Sequence, residues 1–301
     1  EKRRRNNWRL ALLVLQAVID GILAGGVYAL MSAGLTLVFG VMEILVLAQG
    51  VLVVLGAYLS YVLSAHYGID PVLGLLGTMP VMFAVGYGIY ELLIKPIRRD
   101  RIVMSLLAMV AVAALIEGLL DIIFSTDLVE IHASYINDTY QFGAVILPAI
   151  YIYAFALSVF ILAVLYFILY RTKFGVSLRA TTQNPVAARL TGIMTDRVCA
   201  TTLGIGVAMA AAGGMIFGAT NSFNASSSYD LISRLVVIVI LGGLGSIGGT
   251  LVAAVAMLVI EDVVAVVWSP LWGQTTFYLV LVVVLMARPQ GLFGKRAVRA
   301  Q

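Results

Sequence analysis

Long apolar runs alternate with short polar connections along this chain, and one connection is both long and strongly polar. The apolar stretches occupy residues 10–31, 35–47, 51–63, 72–94, 102–124, 145–170, 198–217, 231–241, 251–268 and 276–287. Most approach the ~20 residues that an α-helix needs to cross ~30 Å of hydrocarbon. Two of them, 35–47 and 231–241, are too short to do so alone. Each adjoins a glycine cluster, Gly34 to Gly50 in the first case and Gly242-Gly243-Leu244-Gly245-Ser246-Ile247-Gly248-Gly249 in the second. The pattern predicts an all-α polytopic membrane protein with about ten spanning or half-spanning helices, two of them Gly-interrupted. A single transmembrane domain over 1–301 is expected, with a cytoplasmic loop, 171–197, inside it.

Composition supports this class. The 301 residues are 62% hydrophobic and 11% charged, with mean hydropathy +1.05, whereas soluble domains carry about a quarter charged residues. The net charge of +4 comes from basic residues gathered in connections and at the ends, so no nucleic-acid partner is expected. These clusters are Lys2, Arg3, Arg4, Arg5 and Arg9; the segment KPIRRDR at 95–101; the 171–197 loop; and Lys295, Arg296 and Arg299. Residues 102–170 contain no Lys or Arg, while Asp127, Glu130 and Asp138 share one loop. Cytoplasmic loops of membrane proteins collect basic residues, which puts all four clusters inside and the acidic loop outside. That parity holds only if both short stretches cross, and it makes the N- and C-termini cytoplasmic. The basic start followed by an apolar run lacks a small-residue cleavage site, so it reads as an uncleaved first span.

The polar loop reads RTKFGVSLRATTQNPVAARLTGIMTDR, with five basic residues and one acid, Asp196. Its middle has the marks of a short helix: Asn184 as cap, Pro185 at the first position, Ala187, Ala188, Arg189 and Leu190 as helix formers, and Gly192 as the stop. A short, capped, basic helix outside the bilayer suits docking to a soluble partner that drives the membrane part.

Charged groups within hydrocarbon are costly and call for a role. Glu43, between the short second stretch and Gln49-Gly50, reads as the most intramembrane of them, either lining a path or as an interfacial carboxylate at a broken helix end. Asp20 reads as a buried polar contact, Glu91 and Lys95 as a helix-end ion pair, and Glu261 with Asp262 as groups near the outer mouth. The paired glycine clusters have two readings. Broken helices survive at membrane depth where they line a cavity, and small residues also allow close helix packing. His66 and His132 stand apart with no ligand spacing, and the lone Cys199 allows no internal disulfide, so neither metal nor cofactor is expected. No phosphate-binding G-x-x-x-x-G-K-[ST] and no nucleophile–base pair occur, so the chain is not expected to be an enzyme itself.

Several segments carry a family resemblance. GLTLVFGVMEILVLAQGVLVVLGAYLSY (34–61), KPIRRDR, RATTQNPVAARLTGI (179–193), VVIVILGGLGSIGGTLVAAV (236–255) and RPQGLF (288–293) occur in that order. Together they resemble the LivH-type permeases of bacterial branched-chain amino acid ABC importers. The resemblance implies an inner-membrane permease that pairs with a LivM-like second permease or a second copy. It also implies two cytoplasmic ATP-binding subunits, on which ATP is hydrolysed, and an extracytoplasmic solute-binding protein. Asn184, Pro185, Ala187, Ala188, Arg189 and Gly192 then correspond to the coupling helix that docks on the ATPase, with Val186 in place of the usual Glu. Glu43, Gln49, Gly50, Gly242, Gly243, Gly245, Gly248 and Gly249 become the expected translocation path. Glu43, Val46 and Gln49 replace the family's usual basic residue, Asn and His, which leaves the solute open among branched-chain and other amino acids, urea or amides, and aromatic acids. The competing class is an ion-coupled secondary transporter using Glu43 or Asp262, and the capped loop 171–197 separates the two, because only the importer needs it.

Overall fold

The computed structural model describes residues 2–97, 100–131, 139–142, 145–288 and 290–294. Arg98, Arg99, His132, Asp138, Lys295, Arg296 and Arg299 lie outside the described residues. In chain order the elements are α1 (Lys2–Met42), α2 (Gln49–Tyr67), α3 (Pro71–Ile89, continued by a π-turn at Tyr90–Ile94) and α4 (Arg101–Phe124). A small antiparallel hairpin follows, β1 (Thr139–Phe142) paired with β2 (Val145–Pro148). Then come α5 (Ala149–Arg171), α6 (Lys173–Gln183), α7 (Pro185–Leu190), α8 (Thr195–Thr220), α9 (Ser227–Gly242), α10 (Ile247–Val267) and α11 (Pro270–Ala287). Among the described residues, eight helices are long and apolar enough to cross a membrane. The short stretch 231–241 falls within α9, whose 16 residues span roughly 24 Å.

The other short stretch is not a separate element. Residues 10–31 and 35–47 belong largely to the single helix α1, whose apolar part Leu12–Met42 is 31 residues long. Ser32-Ala33-Gly34 contains no proline, and the glycine serves packing rather than a break. A Cβ on Gly34 would stand 2.7 Å from the Gly206 carbonyl oxygen of α8. The fusion fixes the direction of α1, which runs antiparallel to α10. Gly21 packs on Val259 and Gly25 on Val255. Further along, the Thr36 and Thr250 hydroxyls are 2.9 Å apart, and Gly40 meets Gly245. The C-terminal end of α1 therefore lies beside α6, sharing a notch with Leu178, Arg179 and Thr182. Its N-terminal half lies at the opposite end, where Leu13 and Asp20 share a cleft with Pro148. Joining the two stretches into one helix removes one of the expected separate elements, and it sets the described start of the apolar part of α1 and the 171–197 loop at opposite ends of the bundle.

α8 is the axis of the bundle. Small residues such as Gly206, Ala210, Ala211, Gly213 and Gly214 keep its surface narrow and buried, so that α1, α2 and α3 approach its backbone closely. Close contact between helix backbones through small residues is the means by which helices associate in a medium as apolar as their own side chains. By contrast, α4 and α11 present most of their apolar surface outwards.

Candidate coupling and solute-path elements

At the α6–α7 end, Asn184 performs the capping read from the sequence. Its side-chain oxygen accepts from the Val186 and Ala187 N–H groups, both at 3.0 Å, and Pro185 occupies the first turn, where its missing N–H costs nothing. Gly192 takes φ +86° just past the helix, a conformation that a Cβ disfavours. The helix face differs from expectation at one position. Ala188 is buried, with 4% exposure, while Val186 and Leu190 are 67% and 85% exposed. The exposed surface of this helix thus carries the apolar Val186, Ala187 and Leu190 beside Arg189.

Arg189 ties this helix to the start of α8. Its Nε donates to the Thr195 hydroxyl at 2.6 Å and its guanidinium lies 3.4 Å from the Asp196 carboxylate. Tyr90, in the π-turn, donates to the same carboxylate at 3.4 Å. Arg189, Thr195 and Asp196 face Glu91 and Lys95 across a cleft of about 700 Å³. Lys95 and Glu91 form an ion pair one turn apart, and the hydrogen bond that Lys95 donates to the Glu91 carboxylate holds the ammonium above its ordinary pKa. α6, of 11 residues, was not anticipated within the loop. Its signal was present in the sequence as Phe174, Leu178 and Thr181, spaced for one helical face, with Leu178 and Thr181 buried.

The residues expected along a path separate into three places. Glu43 is exposed and follows the end of α1 with φ +55°, its N–H donating to the Phe39 carbonyl at 2.8 Å. It is thus the residue that closes the C-terminal end of α1. The chain then turns back into the bundle through buried Ile44, Val46 and Ala48. Gln49 is fully buried, with Nε2 3.5 Å from the Met31 carbonyl and 3.4 Å from the Gly206 carbonyl. Gly50 packs on Ser228 and Ile232 of α9. Gly242, Gly243, Gly245, Gly248 and Gly249 form the tight α9–α10 turn. Gly243 and Gly245 have φ +92° and +81°, and Gly243 and Gly249 pack against the segment Phe293-Gly294. The two glycine neighbourhoods meet at Gly40–Gly245 and Thr36–Thr250, whereas Glu43 is not brought to Glu261 or Asp262.

A further polar centre was missed: Arg234 of α9. Its Nη1 lies 2.8 Å from the Glu261 carboxylate of α10 and its Nε 3.0 Å from Asp230. Gln274 of α11 donates to Asp230 at 3.0 Å, and the guanidinium sits 5.7 Å from the Phe277 ring centroid. Tyr28 of α1 lies beside Arg234 on the wall of one cavity. The group thus links four helices. Beside it, a cavity of about 130 Å³ is lined by Tyr28, Tyr151, Asn221, Arg234, Glu261 and Asp262. A cleft of about 590 Å³, including Asp20, Tyr151, Pro148 and Asp262, opens next to it at the hairpin end. A lone arginine within the 231–241 run, four residues after Asp230, was the signal for this centre.

Comparison with known proteins agrees with this architecture. A family model described as "Branched-chain amino acid transport system / permease component" matches residues 17–287. The high-affinity branched-chain amino acid transport system permease protein LivH of Salmonella typhimurium is 26% identical over 298 residues, covering 94% of this chain and 96% of the relative. LivH of Escherichia coli K12 is 25% identical with the same coverage. The corresponding protein BraD of Pseudomonas aeruginosa is 23% identical over 296 residues, covering 93% of this chain and 96% of the relative. No solved structure shows a significant match. With the family's pattern running through nearly the whole bundle, from the packed half of α1 to the end of α11, the chain belongs to the family of permease components of branched-chain amino acid transport systems.

Proposed function

We propose that this chain is the membrane-spanning permease of an ATP-driven importer that moves branched-chain amino acids, or a related small amino-acid or amide-type solute. The relatives' names support the solute class. The observation that carries the mechanism is the capped helix α7, held at one end of the bundle with Val186 and Leu190 directed away from the protein. On this reading ATP is hydrolysed on two separate cytoplasmic subunits, and α7 seats in a groove of one of them. Arg189, Thr195 and Asp196 then pass its displacement to α8, the helix on which the rest of the bundle packs. The basic residues Arg171, Lys173, Arg179, Arg189 and Arg197 make this end cytoplasmic. The carboxyl-terminal segment through Gly294 is cytoplasmic with it, and the N-terminal end of α1 lies on the outer side. The partners are a LivM-like permease or a second copy, and a solute-binding protein that delivers to the hairpin end. Gln49, Gly50 and the Gly242–Gly249 turn move with the path rather than form a pore by themselves, because in the monomer they are packed.

The test is substitution on the exposed face of α7. Leu190→Glu, alone and with Val186→Glu, places charge where an apolar contact is required. The ATP-binding subunits are expected to no longer co-purify with the permease, while membrane insertion and the melting of the permease itself are retained. Normal co-purification and uptake by the double variant would refute the docking role.

A further inference from the structure

The hairpin end gathers several carboxylates around one arginine of α9. Arg234 is one cation, and Asp230, Glu261, Asp262 and Asp20 are four carboxylates around it. Asp230 and Glu261 are both engaged by Arg234. Asp20 and Asp262 have no ion-pair partner among the side chains the structure describes, from Leu12 onward in α1, and they line one cleft. Asp262 also lines the inner cavity, together with Tyr28, Tyr151 and Asn221. Counting along α10, Glu261 and Asp262 lie 14 and 15 residues beyond Ile247, or roughly 21–23 Å from the cytoplasmic turn. That is the outer part of a ~30 Å hydrocarbon layer, where unpaired carboxylates are costly. The cavity's 130 Å³ has room for about four waters at ~30 Å³ each, the size of a polar head group with its first carbons. The adjoining 590 Å³ cleft admits a larger body from outside.

We propose that this cavity is a receiving site for the ammonium group of a small amine-bearing solute. Asp262 is the direct acceptor, Asp20 supplies attraction at the entrance, and Tyr151 and Asn221 complete the polar wall. The Arg234–Glu261 pair positions the site: Arg234 holds Glu261 and Asp230 in place, so that Asp262 is the carboxylate left for the ligand. The site takes its ligand by charge and hydrogen bonding at one end only, which leaves the rest of the solute free to vary. The proposal rests on the importer reading for its direction of use, but binding at the site needs neither nucleotide nor ATP-binding subunits.

Alkylation at a residue lining both spaces tests it. Ala24 borders the cleft and the cavity, so Ala24→Cys is introduced with Cys199→Ser and the protein is placed in nanodiscs. The rate of maleimide labelling is then read with leucine, 3-methylbutylamine, 4-methylpentanoate or sodium chloride present. Leucine and 3-methylbutylamine are expected to slow labelling, and 4-methylpentanoate and sodium are not. Adding Asp262→Asn is expected to raise the half-protecting amine concentration about tenfold or more, and Asp262→Glu to restore protection. No protection by either amine, equal protection by 4-methylpentanoate or sodium, or unchanged protection in the Asp262→Asn protein would each overturn the proposal. ATP-dependent uptake, measured separately with the partner subunits, reports on the importer reading, so the two fail independently.

Discussion

The contact between α1 and α10 gives the sharpest mechanical prediction, because two glycines one turn apart carry it. A Cβ added at Gly21 would stand 2.6 Å from the Val259 Cα and 2.9 Å from its nitrogen, all of it backbone that cannot swing aside. Reaching an ordinary contact of 3.4 Å requires the helices to part by about 0.8 Å (3.4 less 2.6). A radial gap of that size forfeits roughly a quarter to a half of the dispersion attraction along the seam. It also stretches the Thr36–Thr250 hydrogen bond further along. Overpacking of this kind costs about 1–3 kcal/mol. Gly118 on α4 is the control, since a Cβ there meets nothing within 4 Å, and alanine gains up to ~1 kcal/mol of helix propensity over glycine. Reversible unfolding in lipid–detergent micelles, titrated with sodium dodecyl sulfate, reads both variants. Gly21→Ala is expected to unfold at a lower denaturant fraction than the parent, and Gly118→Ala at an equal or higher one. Gly21→Ala unfolding together with Gly118→Ala would refute the close α1–α10 approach, and with it the direction assigned to α1.

Three other outcomes follow from the same geometry. Arg234→Met leaves Glu261 unpaired at 11% side-chain exposure and is expected to cost about 3–5 kcal/mol, much of it recovered in Arg234→Met/Glu261→Met; the same micelle titration checks both, and a double variant no better than the single one would contradict the pairing. Asn184→Ala removes both caps of α7 at about 1 kcal/mol, seen as faster amide exchange at Val186 and Ala187, with Asn184→Asp retaining protection. In intact cells a membrane-impermeant maleimide is expected to label Leu13→Cys from outside, and to reach Leu190→Cys only in inverted vesicles; labelling of both from one side would contradict the single helix α1.

Much of the architecture was legible because membrane spans advertise themselves by length and apolarity, and α7 because Asn184, Pro185 and Gly192 each have one strong local preference. The errors have physical causes. Gly34 looked like a break, yet a glycine within a helix is tolerated, and here α8 occupies the space a side chain would need. That one glycine altered the number of separate elements read from the sequence. Glu43 has apolar neighbours in the sequence, and its exposed place just after the end of α1 depends on where that helix stops. Ala188 and Val186 are equally plausible docking residues in sequence, and only the packing of α7 against the bundle separates the buried one from the exposed one. Arg234 and Glu261 are 27 residues apart along the chain, and their meeting depends on how α9 lies on α10, which no local pattern encodes.

The central claim is that this permease is driven through α7 by separate ATP-binding subunits. The most direct measurement co-reconstitutes the permease with those subunits in liposomes and follows ATP hydrolysis and leucine accumulation, with and without a loaded solute-binding protein. Hydrolysis stimulated by the loaded binding protein, accumulation that depends on it, and loss of both with Leu190→Glu are the predicted results. Accumulation that proceeds without the ATP-binding subunits and follows a proton or sodium gradient would contradict the account.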